Sequence, residues 1–494
     1  MQAQPKTAAA DARGFGAEAA RLTPLAVDMD HTLIRTDLLM EGMAAALFHR
    51  PLGFFAALPQ LLRGRPAFKR AIAAIAPIDA ECLPLREDVV AMLREERAKG
   101  RELHLVTAAD EQAARIVALR VGVFQSVIGS GDGRNLKGRT KRRALEERFP
   151  EGFAYAGDSS ADLAVWKGAQ SAVLVGASPR VANEVRRNGP PIEAEFPRTR
   201  GNPRAWLKAL RPHQWVKNVL IFAPLLLAHA FTQPDAVLSA LIGFALLCVA
   251  ASSGYIINDL ADLDSDRRHA TKRRRPFASG AASVGKGLIL APIALIAACA
   301  GAFALSIGFG AALLVYVATT FAYSMGLKRI ALLDTAVLGA LYTLRIIMGA
   351  EAAHVAHSQW LLTFAMFFFV SLSLAKRHVE VMRLAERSAK SAAGRNYHAE
   401  DWPLTLALGA SAAAAAVLIL VLYLVEEAFA ANFYPAPVFL WAAPIIGALA
   451  LGRIWLKAHR KQLDDDPAAF AVKDPVMIGL GATLVCAFAL ATLL

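Results

Sequence analysis

The stretch Ser253–Gly280 reads SGYIINDLADLDSDRRHATKRRRPFASG and ends a long uncharged run. Its aspartates Asp259, Asp262 and Asp266 are spaced by three and four residues, so a helix would place them on one face. Like charges on one face are destabilising unless a cation neutralises them, and Mg²⁺ commonly bridges carboxylates to substrate phosphates. The basic run Lys272–Arg275 would meet further phosphate charge. The alternative is a solvated loop whose arginines only fix membrane topology.

The composition of the whole chain indicates two kinds of domain. Of its 494 residues 56% are hydrophobic and 19% charged, whereas an ordinary soluble domain is roughly half apolar and about a quarter charged. Long uncharged runs begin only after residue 213, so we expect a soluble domain followed by a polytopic membrane domain. Disordered, coiled-coil and collagen-like chains are excluded. The four cysteines form no CxxC motif, which argues against a disulfide scaffold or a zinc site.

Nine segments of the second half are apolar enough to cross a membrane, which takes about 20 residues each. They are Val216–Phe231, Ala236–Ile257, Gly287–Ser306, Gly310–Leu327, Thr335–Ala350, Trp360–Ala375, Pro403–Val425, Val438–Leu451 and Val476–Leu494. The third and fourth form one uncharged stretch that is too long for a single helix. Gly308–Gly310 offers the break between them.

Positive charge is confined to alternate loops of this half. Lys and Arg crowd before the first segment and after the second, fourth, sixth and eighth, and the opposite loops contain none. The positive-inside rule then places the N-terminus and the basic loops in the cytosol. Since the N-terminus has no apolar signal sequence, we expect a cytosolic first domain on a bacterial-type inner membrane. The net charge of +13 reflects these loops, and we expect no nucleic-acid partner.

The membrane half resembles a known superfamily. Asn258–Asp266, NDLADLDSD, matches the NDxxDxxxD signature of the UbiA superfamily, which implies an all-α, nine-helix intramembrane transferase over residues 205–494. Tyr323–Asp334, YSMGLKRIALLD, stands where aromatic prenyltransferases of the superfamily usually have a second DxxxD. Together with RPHQWVKN at Arg211–Asn218 and LAKRHVE at Leu374–Glu380, it resembles the decaprenyl-phosphate phosphoribosyltransferase branch.

This resemblance implies transfer of phosphoribose from 5-phosphoribosyl diphosphate to a polyprenyl phosphate. Asp259, Asp262 and Asp266 would hold Mg²⁺ and the departing diphosphate, with Asp259 and Asp262 as catalytic carboxylates and Asn258 supporting them. Asp334 would assist metal or ribose binding. The acceptor phosphate is already anionic, so no general base is required. The side chains expected to bind substrate phosphates are Lys217, Lys272, Arg275, Tyr323, Lys328, Arg345, Lys376 and Arg377.

Three of these cations have an alternative interpretation. Arg345 lies inside a predicted span, where a charge is costly and usually faces a cavity or a partner. It would bind phosphate, snorkel toward an interface, or pair with Glu351. Membrane topology alone could account for Lys376 and Arg377.

The first half alternates between strand and helix patterns, which favours a parallel α/β sheet. Each apolar run ends in polar residues, and ligands of such sheets bind beyond the carboxyl ends of the strands. The predicted strands lie in Leu25–Arg35, in Glu102–Asp110 ending at Thr107, in Phe153–Leu163 and in Ser171–Gly176, with helices at Glu111–Val121 and Arg139–Phe149.

These motifs resemble the haloacid dehalogenase superfamily, with its Rossmann-like α/β fold, over about residues 20–190. DMDHT would supply the nucleophile Asp28 and the acid/base Asp30, and Thr107 would position phosphate. Asp28, with Asp158 and Asp162 of GDSSAD, would hold Mg²⁺. A catalytically inactive regulatory domain is the alternative.

The lysine of this site is ambiguous between Lys137 and Lys141. We prefer Lys141, because it opens the helix KRRALEERF, as in phosphoserine-phosphatase-like members of the superfamily. A small helical cap is expected at about residues 37–84.

The predicted organisation is a disordered tail at 1–19, a phosphatase domain at 20–186, a linker at 187–205 and the membrane transferase at 206–494. The hypothesis that joins them is removal of the 5-phosphate from the transferase product, giving polyprenyl-phosphoryl-ribose for cell-envelope glycans. The rivals are an aromatic prenyltransferase with an appended phosphatase and a non-enzymatic lipid-binding or transport scaffold. The lipid chain length, the fate of the lipid-linked sugar and assembly as a homo-oligomer stay open.

Overall fold

The computed structural model describes residues 23–76, 79–130, 135–198, 203–386, 396–430, 433–463 and 467–494. The chain divides into two compact units, described separately below. The first comprises Met1–Arg211 with Tyr255–Pro292, and the second comprises Pro212–Gly254 with Ile293–Leu494. The tail predicted at 1–19 lies outside the described residues.

The first unit contains a six-stranded parallel sheet with strand order β3-β2-β1-β4-β5-β6. The α/β class expected from the sequence is therefore confirmed. The strands are β1 Leu25–Val27, β2 Leu103–Asp110, β3 Ser126–Ser130, β4 Ala154–Gly157, β5 Ser171–Val175 and β6 Ile192–Phe196.

The sequence prediction missed two strands and misplaced one strand end. β3, SVIGS, and β6, IEAEF, are short and carry few consecutive apolar residues, so neither stands out from a loop. β6 pairs with β5 inside the range 187–205, which is therefore wrong as a pure linker. β2 runs to Asp110 instead of ending at Thr107, because its pairing with β3 continues past an irregularity to Ser130.

Helices cover both faces of the sheet. In chain order this unit has α1 Leu38–His49, α2 Pro51–Ala57, α3 Arg65–Ile75, α4 Glu87–Ala98, α5 Glu111–Val121, α6 Arg139–Arg148, α7 Leu163–Trp166, α8 Pro179–Asn188 and α9 Pro203–Leu210. Helices α4 and α5 pack on one face and α6, α7 and α8 on the other. Successive strand residues alternate between the two cores, so that Leu25 and Val27 lie in one and Ala26 in the other.

A helical segment separates β1 from β2, where the cap is expected. Helices α1, α2 and α3 share a small apolar cluster of their own that includes Phe68 and Ile72. Asp37 caps α1 by accepting a hydrogen bond from the Met40 amide at 3.1 Å. The first unit also takes in Tyr255–Pro292, where Ile256, Leu260 and Phe277 pack with residues of α1 and α9.

The remaining helices are long and apolar. They are α10 Ala223–Leu227, α11 Pro234–Ala261, α12 Leu263–Arg268, α13 Val284–Leu305, α14 Ile307–Met325, α15 Leu333–Ala353, α16 Gln359–Glu386, α17 Trp402–Tyr423, α18 Ala442–His459, α19 Pro467–Ala471 and α20 Pro475–Leu493, with the short α10, α12 and α19 as exceptions. Within the described ranges, eight helical segments are long and apolar enough to span a membrane. This is a multi-pass membrane protein.

The first of the nine predicted spans, Val216–Phe231, is not a continuous helix. It consists of 3₁₀ turns over Pro212–Phe222, the short α10 and another 3₁₀ turn at Ala230–Thr232. His229 adopts a left-handed backbone conformation with φ 53°, which a continuing helix does not allow. The hydropathy of this stretch is that of a span, but its backbone geometry is not.

The break between the third and fourth predicted spans also differs from expectation. It falls at Ser306 rather than at Gly308–Gly310. Ser306 caps α14 by accepting a hydrogen bond from the Phe309 amide at 2.9 Å. A side-chain cap therefore starts the new helix, and glycine flexibility is not what interrupts the old one.

Candidate active sites

Three carboxylates of the first unit meet at the carboxyl ends of two adjacent strands. Asp28 follows β1, Asp158 follows β4, and Asp162 precedes α7. One oxygen from each lies within 4.8 Å of the other two, the one such group of three potential metal ligands that the described residues contain. Because carboxylate oxygens are the ligands that hard divalent cations prefer, this donor set fits Mg²⁺.

A buried hydrogen-bond chain organises these carboxylates. The Lys141 ammonium donates to Asp28 Oδ1 at 2.8 Å and to the Tyr155 hydroxyl at 2.9 Å, and Tyr155 in turn donates to Asp162 Oδ1 at 2.8 Å. Lys141 is buried and Lys137 is exposed, so the geometry favours Lys141 of the two candidates. Tyr155 was missed, because its place in an apolar strand reads as core packing.

Within this hydrogen-bond network, the opposite charges of Lys141 and its carboxylate neighbours offset part or all of the cost of burying each ionised group. Burial raises the pKa of Asp28, and the neighbouring Lys141 partly offsets that rise. Burial alone would lower the pKa of Lys141, but the charges of Asp28 and Asp162 outweigh it and raise the value. The lysine therefore stays cationic and can hold a phosphate oxygen beside Asp28.

Asp30 and Thr107 lie at the same end of the sheet. Asp30 Oδ1 accepts a hydrogen bond from the Leu38 amide at 2.9 Å, and burial together with the charge of Asp37 raises its pKa well above the usual value. A raised pKa favours the protonated carboxyl group, which is the form that can donate a proton. Thr107 is fully buried, and its hydroxyl accepts from the Ala109 amide at 3.1 Å. A cavity of about 70 Å³ borders Asp30 and Lys69 of α3.

The carboxylates of the quoted stretch are arranged around an arginine. Arg275 Nη1 lies 3.1 Å from Asp259 Oδ1 and 2.7 Å from Asp266 Oδ2, and Arg211 Nη2 lies 2.5 Å from the same Asp259 oxygen. Asp259 and Asp266 are both almost fully buried. Sequence reasoning missed the contact of Arg211 with Asp259, because the arginine lies 48 residues before its partner.

The single helical face predicted for the three aspartates is wrong in detail. Asp259 belongs to α11 and Asp266 to α12, while Asp262 stands at the junction with φ −97° and ψ 13°. The buried Asp259 Oδ2 and Asp266 Oδ1 accept no hydrogen bond in the described residues. Two orphaned carboxylate oxygens are the donor set that a divalent cation would satisfy, so these residues fit Mg²⁺. Nearby, Asn258 is half-buried and Lys272 is exposed.

In the second unit, Arg345 of α15 is held by neutral groups. Its guanidinium donates to Asn218 Oδ1 at 3.0 Å, to the Tyr316 hydroxyl at 3.1 Å and to the Leu341 carbonyl at 2.7 Å. The two structural alternatives fail, because Arg345 is only 6% exposed and Glu351 pairs instead with His357 at 2.9 Å. The charge of Arg345 is therefore positioned without a carboxylate among these contacts.

Asp334 and Arg377, predicted separately, form a buried pair. Arg377 Nε lies 3.2 Å from Asp334 Oδ2, and Tyr397 donates to Asp334 Oδ1 at 2.7 Å. Arg377 also donates to Glu380. Topology alone therefore does not explain Arg377. Sequence reasoning missed Tyr397, which lies 63 residues from Asp334. The other predicted phosphate-binding side chains of this unit are half-buried: Lys217, Tyr323, Lys328 and Lys376.

Comparison with known protein families gives one match in each half of the chain. A family described as "UbiA prenyltransferase family" matches residues 219–481. The chain belongs to this family. A second one, described as "haloacid dehalogenase-like hydrolase", matches residues 25–167, so the UbiA region follows a haloacid dehalogenase-like domain.

One relative of this UbiA protein aligns with it over nearly the full length of both chains. The "Uncharacterized protein y4nM" of Sinorhizobium fredii is 43% identical over 471 residues, which cover 95% of this chain and 91% of that protein. The "Nodulation protein NoeC" of Azorhizobium caulinodans is 36% identical over 58% of this chain and 91% of its own length. The "Decaprenyl-phosphate phosphoribosyltransferase" of Mycolicibacterium smegmatis is 36% identical over 186 residues, which cover 37% of this chain and 58% of that enzyme.

Proposed function

We propose that the UbiA region transfers 5-phosphoribose from 5-phosphoribosyl diphosphate to a polyprenyl phosphate and releases diphosphate. The observation that carries the proposal is the 36% identity over 186 residues with an enzyme named for this acceptor and this transferred group. The motif at Tyr323–Asp334 supports it, since an aromatic prenyltransferase would have DxxxD there. The basic loops support a cytosolic active face on an inner membrane.

The chain's own residues would bind the donor and orient it. Asp259 and Asp266 would hold Mg²⁺, which when bound neutralises charge on the departing diphosphate. Arg275, which already touches both carboxylates, would contact diphosphate oxygens. An acceptor phosphate oxygen attacks C1 of the ribose as the bond from C1 to the diphosphate oxygen breaks. The acceptor is already an anion, so no side chain has to remove a proton.

The haloacid dehalogenase-like domain would then remove the 5-phosphate. Asp28 would attack the phosphorus and form an aspartyl phosphate, with Lys141 holding a phosphate oxygen beside it. Asp30 would protonate the departing C5 oxygen and later take a proton from the hydrolytic water. Asp28, Asp158 and Asp162 would hold Mg²⁺, which when bound offsets the phosphate charge. The product would be polyprenyl-phosphoryl-ribose, a sugar donor suited to cell-envelope glycans.

A label-transfer assay tests both steps. The purified chain is incubated with Mg²⁺, polyprenyl phosphate and 5-phosphoribosyl diphosphate labelled in the ribose. Wild type should yield lipid-linked ribose, Asp28→Asn should stop at the phosphorylated lipid, and Asp259→Asn should form neither. Asp264→Asn is the matched control, since this aspartate of the same stretch is 47% exposed and should behave as wild type.

Two results would contradict the proposal. If no sample incorporates label into the lipid, phosphoribosyl transfer is refuted and prenyl diphosphates are the next donors to test. If the wild-type chain labels the lipid but the product keeps its 5-phosphate, the transferase assignment holds and the proposed dephosphorylation is refuted.

A further inference from the structure

A cavity of about 650 Å³ opens beside Asp158 in the first unit. Its volume is within the range of roughly 300–1,000 Å³ that small-molecule sites occupy. Ser159 lines it next to Asp158, and further walls come from the end of β5, the start of α8, helix α7 and the segments that follow β1 and β6. The cavity is thus continuous with the carboxylate cluster assigned to phosphate cleavage. It is distinct from the small cavity that borders Asp30 and the cap.

The walls of this cavity are strongly cationic. Five basic side chains line it, namely Arg35, Arg86, Lys167, Arg180 and Arg198, against the carboxylates Asp158 and Glu184. Arg86 is committed elsewhere, because it pairs with Asp88 at 2.6 Å and donates to the Pro197 carbonyl at 3.1 Å. Arg35 is not so committed, since its buried Nε has no hydrogen-bond partner in the described residues.

None of these five cations belongs to the cluster that is assigned above to cleavage of the phosphate ester. That cluster, Lys141 with Asp28, Asp158 and Asp162, is the proposed site of one phosphate group at the carboxyl ends of the strands. A further anion-binding surface next to them selects for a substrate with a second negative group. Arg35 lines that surface, and its guanidinium has a nitrogen without a protein partner in the described residues, so an anion there would add a hydrogen bond that the protein does not supply.

We infer that this cavity binds a second phosphate, so that the phosphatase prefers a ribose 5-phosphate whose C1 oxygen is also phosphorylated. The inference deepens the proposed function and rests on it. During hydrolysis only the phosphorus–oxygen bond at C5 breaks, water supplies the oxygen of the released phosphate, and the C1 phosphate stays attached. The C1 group could come from the lipid-linked product or from soluble 5-phosphoribosyl diphosphate, which share this chemistry.

The test compares phosphate release from four compounds by the purified full chain with Mg²⁺. Ribose 5-phosphate has one phosphate and ribose 1,5-bisphosphate has two. Farnesyl-phosphoryl-5-phosphoribose and 5-phosphoribosyl diphosphate then distinguish the lipid source from the soluble one. Wild type should show kcat/KM at least about tenfold higher for the bisphosphate than for ribose 5-phosphate. Equal values for these two would overturn the inference.

Paired variants locate the effect in the cavity. Arg180→Gln should lower the preference for the bisphosphate about tenfold, and Glu184→Gln should raise it because a repulsive charge is removed. Arg186→Gln is the matched control, since Arg186 is on the same helix but pairs with Glu195 at 2.5 Å and does not line the cavity. If Arg180→Gln lowers kcat/KM equally for both substrates, misfolding would explain the loss. Glu184→Gln then decides, because misfolding cannot raise the preference for the bisphosphate. An unchanged ratio in Glu184→Gln would then overturn the inference.

The outcome separates this inference from the proposed function. If the chain makes lipid-linked ribose but shows no preference for a substrate with two phosphates, only the assignment of the cavity is refuted. A chain that prefers two phosphates but never labels the lipid would keep the cavity assignment and remove the transferase.

Discussion

At the residue scale, the most informative contact is the one between Lys141 and Asp28. Replacement of Lys141 by Met should lower phosphatase kcat by about a hundredfold or more, because a charge-assisted hydrogen bond at the reacting group is lost. Lys137→Met is the matched control and should stay within about twofold of wild type, since Lys137 is exposed. Phosphate release from ribose 5-phosphate measures both, and equal losses would refute the choice of Lys141.

Tyr155 gives a second residue-scale prediction. Tyr155→Phe removes the hydroxyl that links Lys141 to Asp162 while leaving the packed ring in place. Hydrogen bonds to charged groups contribute about 1.5–3 kcal/mol, so we expect kcat to fall by roughly ten- to a hundredfold with little change in KM. Steady-state kinetics checks this, and a wild-type kcat would mean that the lysine is oriented without the tyrosine.

Whether a site residue could be predicted depended on whether its role shows in a short sequence motif or only in the folded chain. Asp28, Asp158 and Asp162 were predictable because each follows an apolar strand within a short motif. Tyr155 was not, since its hydroxyl acts through a partner that only the folded chain brings near. Arg211 and Tyr397 were missed for the same reason, because tens of residues separate them from the carboxylates they contact.

At the element scale, helix α1 is joined to the carboxylate stretch by a buried ion pair. Arg267 donates to both oxygens of Glu41, at 3.1 and 2.7 Å, and Thr36 donates to the same carboxylate at 2.5 Å. Both charged side chains are at most 5% exposed. Loss of one partner from a buried pair leaves the other charge uncompensated, which typically costs about 3–5 kcal/mol.

We therefore expect Glu41→Gln to lower the free energy of unfolding of the first unit by about 3 kcal/mol or more. Asp79→Asn is the control, since Asp79 pairs with Arg268 at the surface, where such pairs contribute at most about 1 kcal/mol. Thermal unfolding of both variants in detergent, followed by fluorescence, measures the difference. Equal shifts for the two would show that burial of the Glu41–Arg267 pair does not matter.

Helix α15 offers a second element-scale prediction. A Cβ placed on Gly349 would come within 2.1 Å of the Ile221 carbonyl oxygen, which belongs to the 3₁₀ segment Pro212–Phe222. Gly349→Ala should therefore destabilise the second unit by about 1–3 kcal/mol, as overpacking does. Gly479→Ala in α20 meets nothing within 4 Å and should be neutral or stabilising. Melting temperatures in detergent distinguish the two.

The same segment shows why the span count could not be read from hydropathy. Val216–Phe231 is as apolar as its neighbours, and composition carries no information on where a backbone turns. The left-handed His229 and the close approach of Ile221 to Gly349 are properties of the packed chain. By contrast, α5 was predicted at its observed bounds, because an N-cap Asp110 and a C-terminal Gly122 mark them in the sequence.

At the scale of the whole molecule, the proposed pathway predicts complementation between two defective chains. The Asp28→Asn chain should supply a phosphorylated lipid that the Asp259→Asn chain can hydrolyse, because a polyprenyl lipid diffuses within the bilayer. A mixture of both in shared vesicles should therefore form dephosphorylated lipid-linked ribose, measured by the label assay. Separate vesicle populations serve as the control. Failure in shared vesicles would mean that the intermediate never leaves the chain that made it.

The first unit gathers Met1–Arg211 and Tyr255–Pro292 into one body, although 43 residues of the other unit lie between them in the chain. Asp259 pairs with Arg211 as well as with Arg275, and Phe277 packs with residues of α1 and α9. A transferase fragment that began after the phosphatase domain would keep α9 but lose α1, and the apolar residues around Phe277 would then lose part of their packing. Removal of the phosphatase domain would therefore uncover apolar surface on the remaining fragment, in addition to removing one of the two proposed activities.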